Sequence, residues 1–363
     1  MSLLVSLTIA TGLAHGGVPT PGSELSPTWA AYRKVYVSED GRAIDYRESA
    51  RSTSEGQSYA MVRALWAGDR DTFDRAWLWT NANLQGGDPS RLPAWSWGKK
   101  VDGTWGVLDP QPASDADQFI AWSLLGASRT WDAPRYADQA VALLARIWAE
   151  ETEVVHGERW LLPGPWARGQ DPVRLNPSYF LPFAWRSFAE HDPAHDWRGL
   201  VDPAYRLLEA CRGAVGLPKD WCYGDRASGR VVAAADPRHD DFGFEAFRVA
   251  WTLAAEVKWH GERRARALLG PYVALLSRPD APVRIPAIIG PDGAARVDWA
   301  YPGMYGALLP AWSLQRPAAA RRAWLEQIVP LRADHGWGDP DDYYGQNWIW
   351  LGLALWQSEE KPA

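Results

Sequence analysis

Apolar positions recur at helical spacing through almost the whole chain, and strand-type alternation is scarce. The repeating stretches lie at 26–37, 54–68, 71–84, 115–131, 135–150, 176–190, 196–213, 242–258, 261–276, 298–315, 317–329 and 341–358, each bounded by Gly, Pro, Asp or Ser. Two kinds of stretch alternate. The one at 115–131 is apolar nearly all round, with Phe119, Ile120, Trp122, Leu124 and Leu125, whereas 135–150 and 261–276 each keep one polar face. Helices apolar all round are buried, and one-sided helices lie at the surface. Inner helices alternating with outer ones predict an all-α fold, an (α/α)6 double-ring barrel of about twelve helices. The alternative, a helical solenoid, requires an internal repeat, and the chain shows none. Short hairpins are expected only around Leu161, at 229–234 and at 282–289.

No Pro/Ser-rich linker divides the chain, so 18–363 reads as one domain. Residues 1–17 hold a short apolar run followed by Ala14-His15-Gly16-Gly17. The run reads as a signal peptide without a basic n-region, or as an N-terminal extension, and the first reading predicts a secreted or periplasmic protein. No later stretch has the ~20 uninterrupted apolar residues that a membrane span needs. With 38 basic against 44 acidic residues the net charge is -6, which argues against nucleic acid as a partner. Cys211 and Cys222 are too few for a disulfide framework or a usual metal site; they pair if the protein is exported, and otherwise are buried thiols. Tryptophan stands out, at 24 of 363 residues. Core filling accounts for most of them, but indoles in an acidic protein also suit flat uncharged ligands such as sugar rings.

Three acidic positions carry candidate chemistry. Glu55 opens the 54–68 stretch, and Ser52-x-x-Glu55 fits a capping box as well as a general acid at a helix mouth. The second reading needs burial or a second carboxylate to overcome the helix N-terminus, which favours ionised acids. Asp115 opens the next apolar stretch, either as a cap or facing a cleft; Asp117, two residues on, diverges from it, so one of the two can face the cleft while the other braces a loop or a backbone amide. Glu245 and Arg248 form an i, i+3 pair, which on a surface helix is an exposed ion pair, but Phe244, Ala246, Phe247, Val249 and Trp251 leave no polar face. In a double ring all inner helices run the same way, so first-turn acids at 55, 115 and 245 would line one cleft.

These segments together resemble glycoside hydrolase family 8, the bacterial endo-β-1,4-glucanases, and in particular the cellulases found with bacterial cellulose synthases. Ala113-Ser114-Asp115-Ala116-Asp117-Gln118-Phe119-Ile120-Ala121-Trp122, continuing to Trp131, fits the family signature, and Ser54-Glu55-Gly56-Gln57 fits its general-acid motif. Leu92 to Lys99, Gly103 to Pro110, Asn176 to Phe180, Pro218 to Trp221 and Tyr343 to Asn347 resemble further family blocks. The resemblance implies the same barrel and an inverting mechanism with no metal and no organic cofactor. It implies Glu55 as general acid and Asp115 as the acid that holds the sugar at the cleavage subsite. The family's base is an Asp in a Phe-x-Tyr-Asp-Ala-x-Arg block; here Glu245 stands in its place, Phe244 replaces Tyr, and Gly345 follows the Tyr-Tyr pair where Asp is usual. Asp240 and Asp241 are the alternatives for the base.

The expected reaction is endo-cleavage of β-1,4-glucan by a monomer. Glu55 would protonate the leaving oxygen, Glu245 would take a proton from water, and Asp115 would hold the ring. Tyr179 would position the water and Arg248 would hold Glu245 ionised. Trp95, Trp97 and Trp105 are candidate stacking platforms, with Tyr343 also in the cleft. Xylan, chitosan and mixed-linkage glucan are alternative substrates. A noncatalytic glucan-binding protein with a substituted base is the alternative outside the enzymes.

Overall fold

The computed structural model describes residues 19–275 and 284–358. The apolar run at 1–17 and the first two residues of the 282–289 segment lie outside these. The helices among the described residues are α1 (Pro21–Tyr36), α2 (Ser54–Trp66), α3 (Arg70–Leu84), α4 (Ser114–Thr130), α5 (Pro134–Glu151), α6 (Pro182–His191), α7 (Val201–Ala210), α8 (Arg248–His260), α9 (Arg263–Leu268), α10 (Gly270–Ala274), α11 (Pro302–Gln315), α12 (Pro317–Ala323) and α13 (Tyr343–Gln357).

Helices α2, α4, α6, α8, α11 and α13 form the inner ring, each touching the next, and α13 closes the circle on α2. Each carries an outer partner: α3, α5, α7, α9 and α12 pack on the first five, and α1 packs on α13. The fold is therefore the (α/α)6 barrel, and its sixth hairpin joins the first helix to the last. The two rings differ as their patterns require. Every residue of α4 from Ser114 to Ala127 is buried, whereas α5 buries Tyr136, Ala140, Leu143, Leu144, Ile147 and Glu151 along one stripe. Inner helices α11 and α13 touch backbone to backbone. A Cβ on Gly352 would fall 1.8 Å from the Gly306 carbonyl oxygen, so only glycine permits this crossing.

Several helices begin later than the apolar pattern does. Prolines explain two cases, since the residue before proline avoids the helical region. Leu181 and Tyr301 are non-helical, and α6 and α11 start at Pro182 and Pro302, not at 176 and 298. Gly270-Pro271 splits the 261–276 stretch into α9 and α10.

The small sheets are antiparallel. They are β1 (Ser52–Thr53), β2 (Ser96–Lys99) and β3 (Trp105–Asp109); β4 (Thr152–Val155) and β5 (Glu158–Leu161); β6 (Val173–Leu175), β7 (Cys222–Gly224) and β8 (Val231–Val232); and β9 (Arg332–Ala333) and β10 (Gly336–Trp337). Leu161 ends β5 and, within 229–234, only Val231 and Val232 form a strand, while Ile289 makes only isolated bridges to Phe242 and Ala295. The β1–β2–β3 sheet is not visible in the pattern, because strands this short show no alternation.

Tryptophans fill the barrel. Trp66 stacks on Trp251 at 6.1 Å and Trp122 on Trp259 at 6.0 Å, with Phe119 and Phe183 between them. Trp122 and Trp251 are buried, and Trp131 is half-buried against Phe73 at 5.1 Å. Truncating one of the buried rings would cost about 3–5 kcal/mol. With its interior filled, the barrel leaves its ends for ligands.

Candidate active site

The route to Glu55 begins in the β1–β2–β3 sheet. Strand β1 pairs with β2 and runs straight into α2, whose N-cap is Thr53, accepting the Gly56 N–H at 3.0 Å. Ser52 is not the cap. Its hydroxyl donates to the Ala43 carbonyl at 2.6 Å and accepts from Arg42 Nε at 2.7 Å, because the strand has already turned it away from the helix. The capping-box reading therefore fails, and the Glu55 carboxyl is directed elsewhere. Tyr343 OH donates to its Oε1 at 3.4 Å, and Arg248 Nη1 donates to its Oε2 at 3.1 Å.

Asp115 sits in the first turn of α4, with Oδ1 accepting the Ala116 N–H at 2.9 Å and Oδ2 accepting from Arg248 Nη1 at 2.8 Å. Asp117 braces neither a loop nor an amide. It is fully buried, as is Glu151 of α5, and burial holds both carboxyls well above the usual carboxylate range, with repulsion from Asp117 raising Glu151 further.

Glu245 departs from expectation. It is not in the first turn of a helix, because α8 begins only at Arg248. The backbone before α8 is held in a turn by Asp220, whose Oδ1 accepts the N–H groups of Gly243, Glu245 and Ala246 at 2.9, 3.1 and 2.8 Å. The Glu245 carboxylate folds back onto its own helix. Its Oε2 accepts from Arg248 Nη2 and from Asn176 Nδ2, the latter at 2.9 Å. The extra methylene relative to Asp is taken up in this return. Asp240 and Asp241 stand apart from the cluster, bound to Lys219 at 2.7 Å and Arg296 at 3.3 Å.

Arg248 thus joins all three acids, and the exposed-ion-pair reading fails: its side chain is 4% exposed, against 20% for Glu55, 6% for Asp115 and 30% for Glu245. Its guanidinium also lies over the Tyr179 ring at 5.3 Å. One cation among three carboxylates leaves an excess of negative charge. Burial pushes Glu55 up to about 8, against the pull of Arg248 and with added repulsion from Asp115 and Glu245. Burial raises Asp115 as well. Tyr179 is raised well above the ordinary phenol by burial and by the negative charge of Asp115 and Glu245, so it remains a neutral donor. Among the described residues no group of three His, Cys, Asp or Glu side chains is arranged to hold a metal ion.

The predicted platforms are less uniform. Trp95 reaches the mouth of α2 directly, where Ser54 N donates to its carbonyl at 2.9 Å, while Trp97 pairs with Ser52 of β1 and Trp105 with Lys99 of β2. Trp97 is already covered: Trp79 meets it edge-on and Trp105 stacks on it, both at 5.2 Å, and the Arg42 guanidinium lies 4.7 Å from its centroid. Trp95 is half-buried with Arg51 over its ring at 5.1 Å. Trp105, which Trp97 stacks on and whose centroid lies 4.8 Å from the same Arg42 guanidinium, is nonetheless 47% exposed and the most open of the three. Another open indole was not anticipated. Trp299, 44% exposed, packs on Phe244 at 6.1 Å, in the irregular segment before α11 that the apolar pattern reads as helix. Asn176 and Asp220 were visible only as members of blocks. Gly345 has a local reason: a Cβ there would fall 2.3 Å from Asp342 Oδ2, whose partner oxygen caps α13 by accepting the Gly345 N–H at 3.0 Å.

Comparison with known proteins agrees with this architecture. The family described as Glycosyl hydrolases family 8 matches residues 11–273. An endoglucanase of Pseudomonas fluorescens SBW25 is 40% identical over 61% of this chain, and the chain spans 58% of that protein's length. An endoglucanase of Cellulomonas uda is 31% identical over 87% of this chain and 85% of its own length. Among solved structures, an endo-1,4-D-glucanase from Vibrio fischeri ES114 superposes with a TM-score of 0.80 at 30% identity, covering 91% of this chain and 94% of that one. The match over most of the chain, on the (α/α)6 barrel described above, places this protein in family 8 of the glycosyl hydrolases.

Proposed function

We propose that this protein is an endo-acting, inverting hydrolase of β-1,4-glucan. The observation that carries the reading is the sharing of one guanidinium by Glu55, whose carboxyl burial pushes up to about 8, and Glu245. Inversion needs a carboxylic acid on one side of the scissile bond and a carboxylate on the other. Glu55, raised to about 8, carries its proton at neutral pH and delivers it to the glycosidic oxygen. Glu245 takes the proton of the attacking water: both of its side-chain bonds to protein fall on Oε2, which leaves Oε1 to accept from the water. Asp115, fixed by the Ala116 amide and Arg248, binds the distorted sugar, where bonds that strengthen in the transition state count most. Tyr179 orients the water, and Trp105 stacks under the chain, as an indole face suits the apolar C–H face of a glucose ring. The Cys211–Cys222 disulfide supports an exported protein, since such bonds persist in oxidising compartments.

The test is an assay of the purified protein on carboxymethyl-cellulose, xylan, chitosan and mixed-linkage glucan, with proton NMR following the new anomeric centre. Reducing ends from carboxymethyl-cellulose with the α-anomer appearing first are expected. Glu55→Gln should lower turnover about 10²–10⁴-fold with the fold intact. The β-anomer first, or parental turnover in Glu55→Gln, overturns the reading.

A further inference from the structure

Glu245 is gripped at both ends by one small ladder. Strand β6 ends at Leu175, which lies opposite Cys222, the first residue of β7. Asn176 follows β6 directly and donates to the Glu245 carboxylate; Asp220 lies two residues before β7 and holds the Glu245 backbone. The ladder is itself anchored. Cys222 is bonded to Cys211, at the C-terminal end of α7, and Lys219 N donates to the Cys211 carbonyl at 3.0 Å. Asp220 N and Trp221 N donate to the carbonyls of Asp241 and His239 at 2.8 and 3.0 Å, which ties the segment to the chain leading into the Glu245 turn. The fit is close: a Cβ on Gly243 would fall 2.8 Å from Asp220 Oδ2.

We propose that Asp220 is a positioning residue for the general base: it takes the place of a helix N-cap, fixes the turn that carries Glu245 into α8, and is itself held by the Cys211–Cys222 bond. The physical need is specific to this chain. A Glu side chain has one more rotatable bond than an Asp, so its carboxylate is placed only if its backbone is fixed and its far end is clasped. Asp220 supplies the first condition by accepting three amides on one oxygen, and Asn176 supplies the second. A base displaced by about 1 Å can lose on the order of 10²-fold in rate. Asp220 touches neither water nor sugar in this scheme; it acts through Glu245.

The inference rests on Glu245 being the base, so the experiment measures Glu245→Gln beside the Asp220 variants. Steady-state kcat and KM on cello-oligosaccharides are compared with melting temperatures. Asp220→Ala is expected to lower kcat about 10²-fold, with KM within about twofold and the protein folded at the assay temperature. Asp220→Asn keeps the accepting oxygen and should recover most of that loss. Gly243→Ala leaves Asp220 in place but forces the two apart, and should lower kcat without changing KM. Replacing both cysteines with Ala should lower kcat several-fold in the parent and not further in Asp220→Ala. Parental kcat in both Asp220→Ala and Gly243→Ala, with Glu245→Gln inactive, overturns the positioning role alone. Losses that Asp220→Asn fails to recover, or that add fully to the cysteine replacement, overturn it too. A parental Glu245→Gln removes the base assignment and the inference with it.

Discussion

Arg63 and Arg248 are both arginines on inner helices, 1% and 3% exposed, yet they live in opposite company. Among the described residues no carboxylate forms an ion pair with Arg63. Its guanidinium lies 3.8 Å from the Tyr32 ring centroid, 5.0 Å from Trp350 and 5.3 Å from Trp29, and it donates to Asn347 Oδ1 at 3.0 Å and to the carbonyls of Gln346 and Thr28 at 3.4 Å. Burial lowers its pKa, but its partners are neutral, so no proton moves among them. It fastens α2 to α1 and α13, where the barrel closes. Arg248 has three carboxylates, and attraction to Glu245, Asp115 and its neighbouring tyrosines outweighs burial to raise its pKa. The difference lies in the partners. Rings and carbonyls fix a buried charge in one state, whereas carboxylates that outnumber their cation must share protons, and shared protons are what acid catalysis uses.

That contrast can be broken by experiment. The largest effect is expected at Arg248. Arg248→Met leaves three acids without their cation and should lower kcat at least about 10²–10³-fold; Arg248→Lys should recover little, because an ammonium cannot hold three carboxylates with a planar fork. Substantial activity in Arg248→Met would show that the cluster does not depend on its centre. Next is Arg63→Met, which keeps an apolar stem but loses the ring contacts and leaves the buried Asn347 Oδ1 without the Arg63 donor. It should destabilise the protein by about 3 kcal/mol in denaturant unfolding, with kcat near the parent's. If catalysis falls and stability does not, the two arginines are not the opposites described.

The smallest effect is a shift in pH dependence. Glu55 has its folded value raised from 4.5 to about 8, so the proton it delivers is lost, and activity with it, as pH rises through about 8. The stability this group contributes is fully present below 4.5 and lost as pH climbs towards 8, because only the native state holds the proton in that interval. Asp115→Asn removes one neighbour that raises Glu55. The alkaline limb of its residual activity should move down by about one pH unit, some 1.4 kcal/mol. A limb that stays put or moves up assigns it to another group.

Much of this was legible along the chain. The alternation of all-round and one-sided helices marked the two rings because burial writes directly into composition: α4 buries every residue of its first four turns, and α5 buries one stripe. Glu55 and Asp115 stood at helix mouths for the same reason. The failures share a different cause. Ser52 fits a cap by spacing, but pairing of β1 with β2 hands that role to Thr53. Glu245 reads as helical, but Asp220, 25 residues earlier, takes its amide. Trp97 reads as a platform, but Trp79, Trp105 and Arg42 cover it.

By itself, then, the sequence determined the barrel and the kinds of group at its mouth, because periodicity and residue type are local properties. Only the tertiary structure decided which carboxyls share a guanidinium, which of them keeps its proton, and which indoles stay open. Those properties depend on partners brought together from distant parts of the chain: Arg248 meets Asp115 across 133 positions and Glu55 across 193. Burial and charge act on a carboxyl through distance in space, and spacing along the chain does not encode that distance.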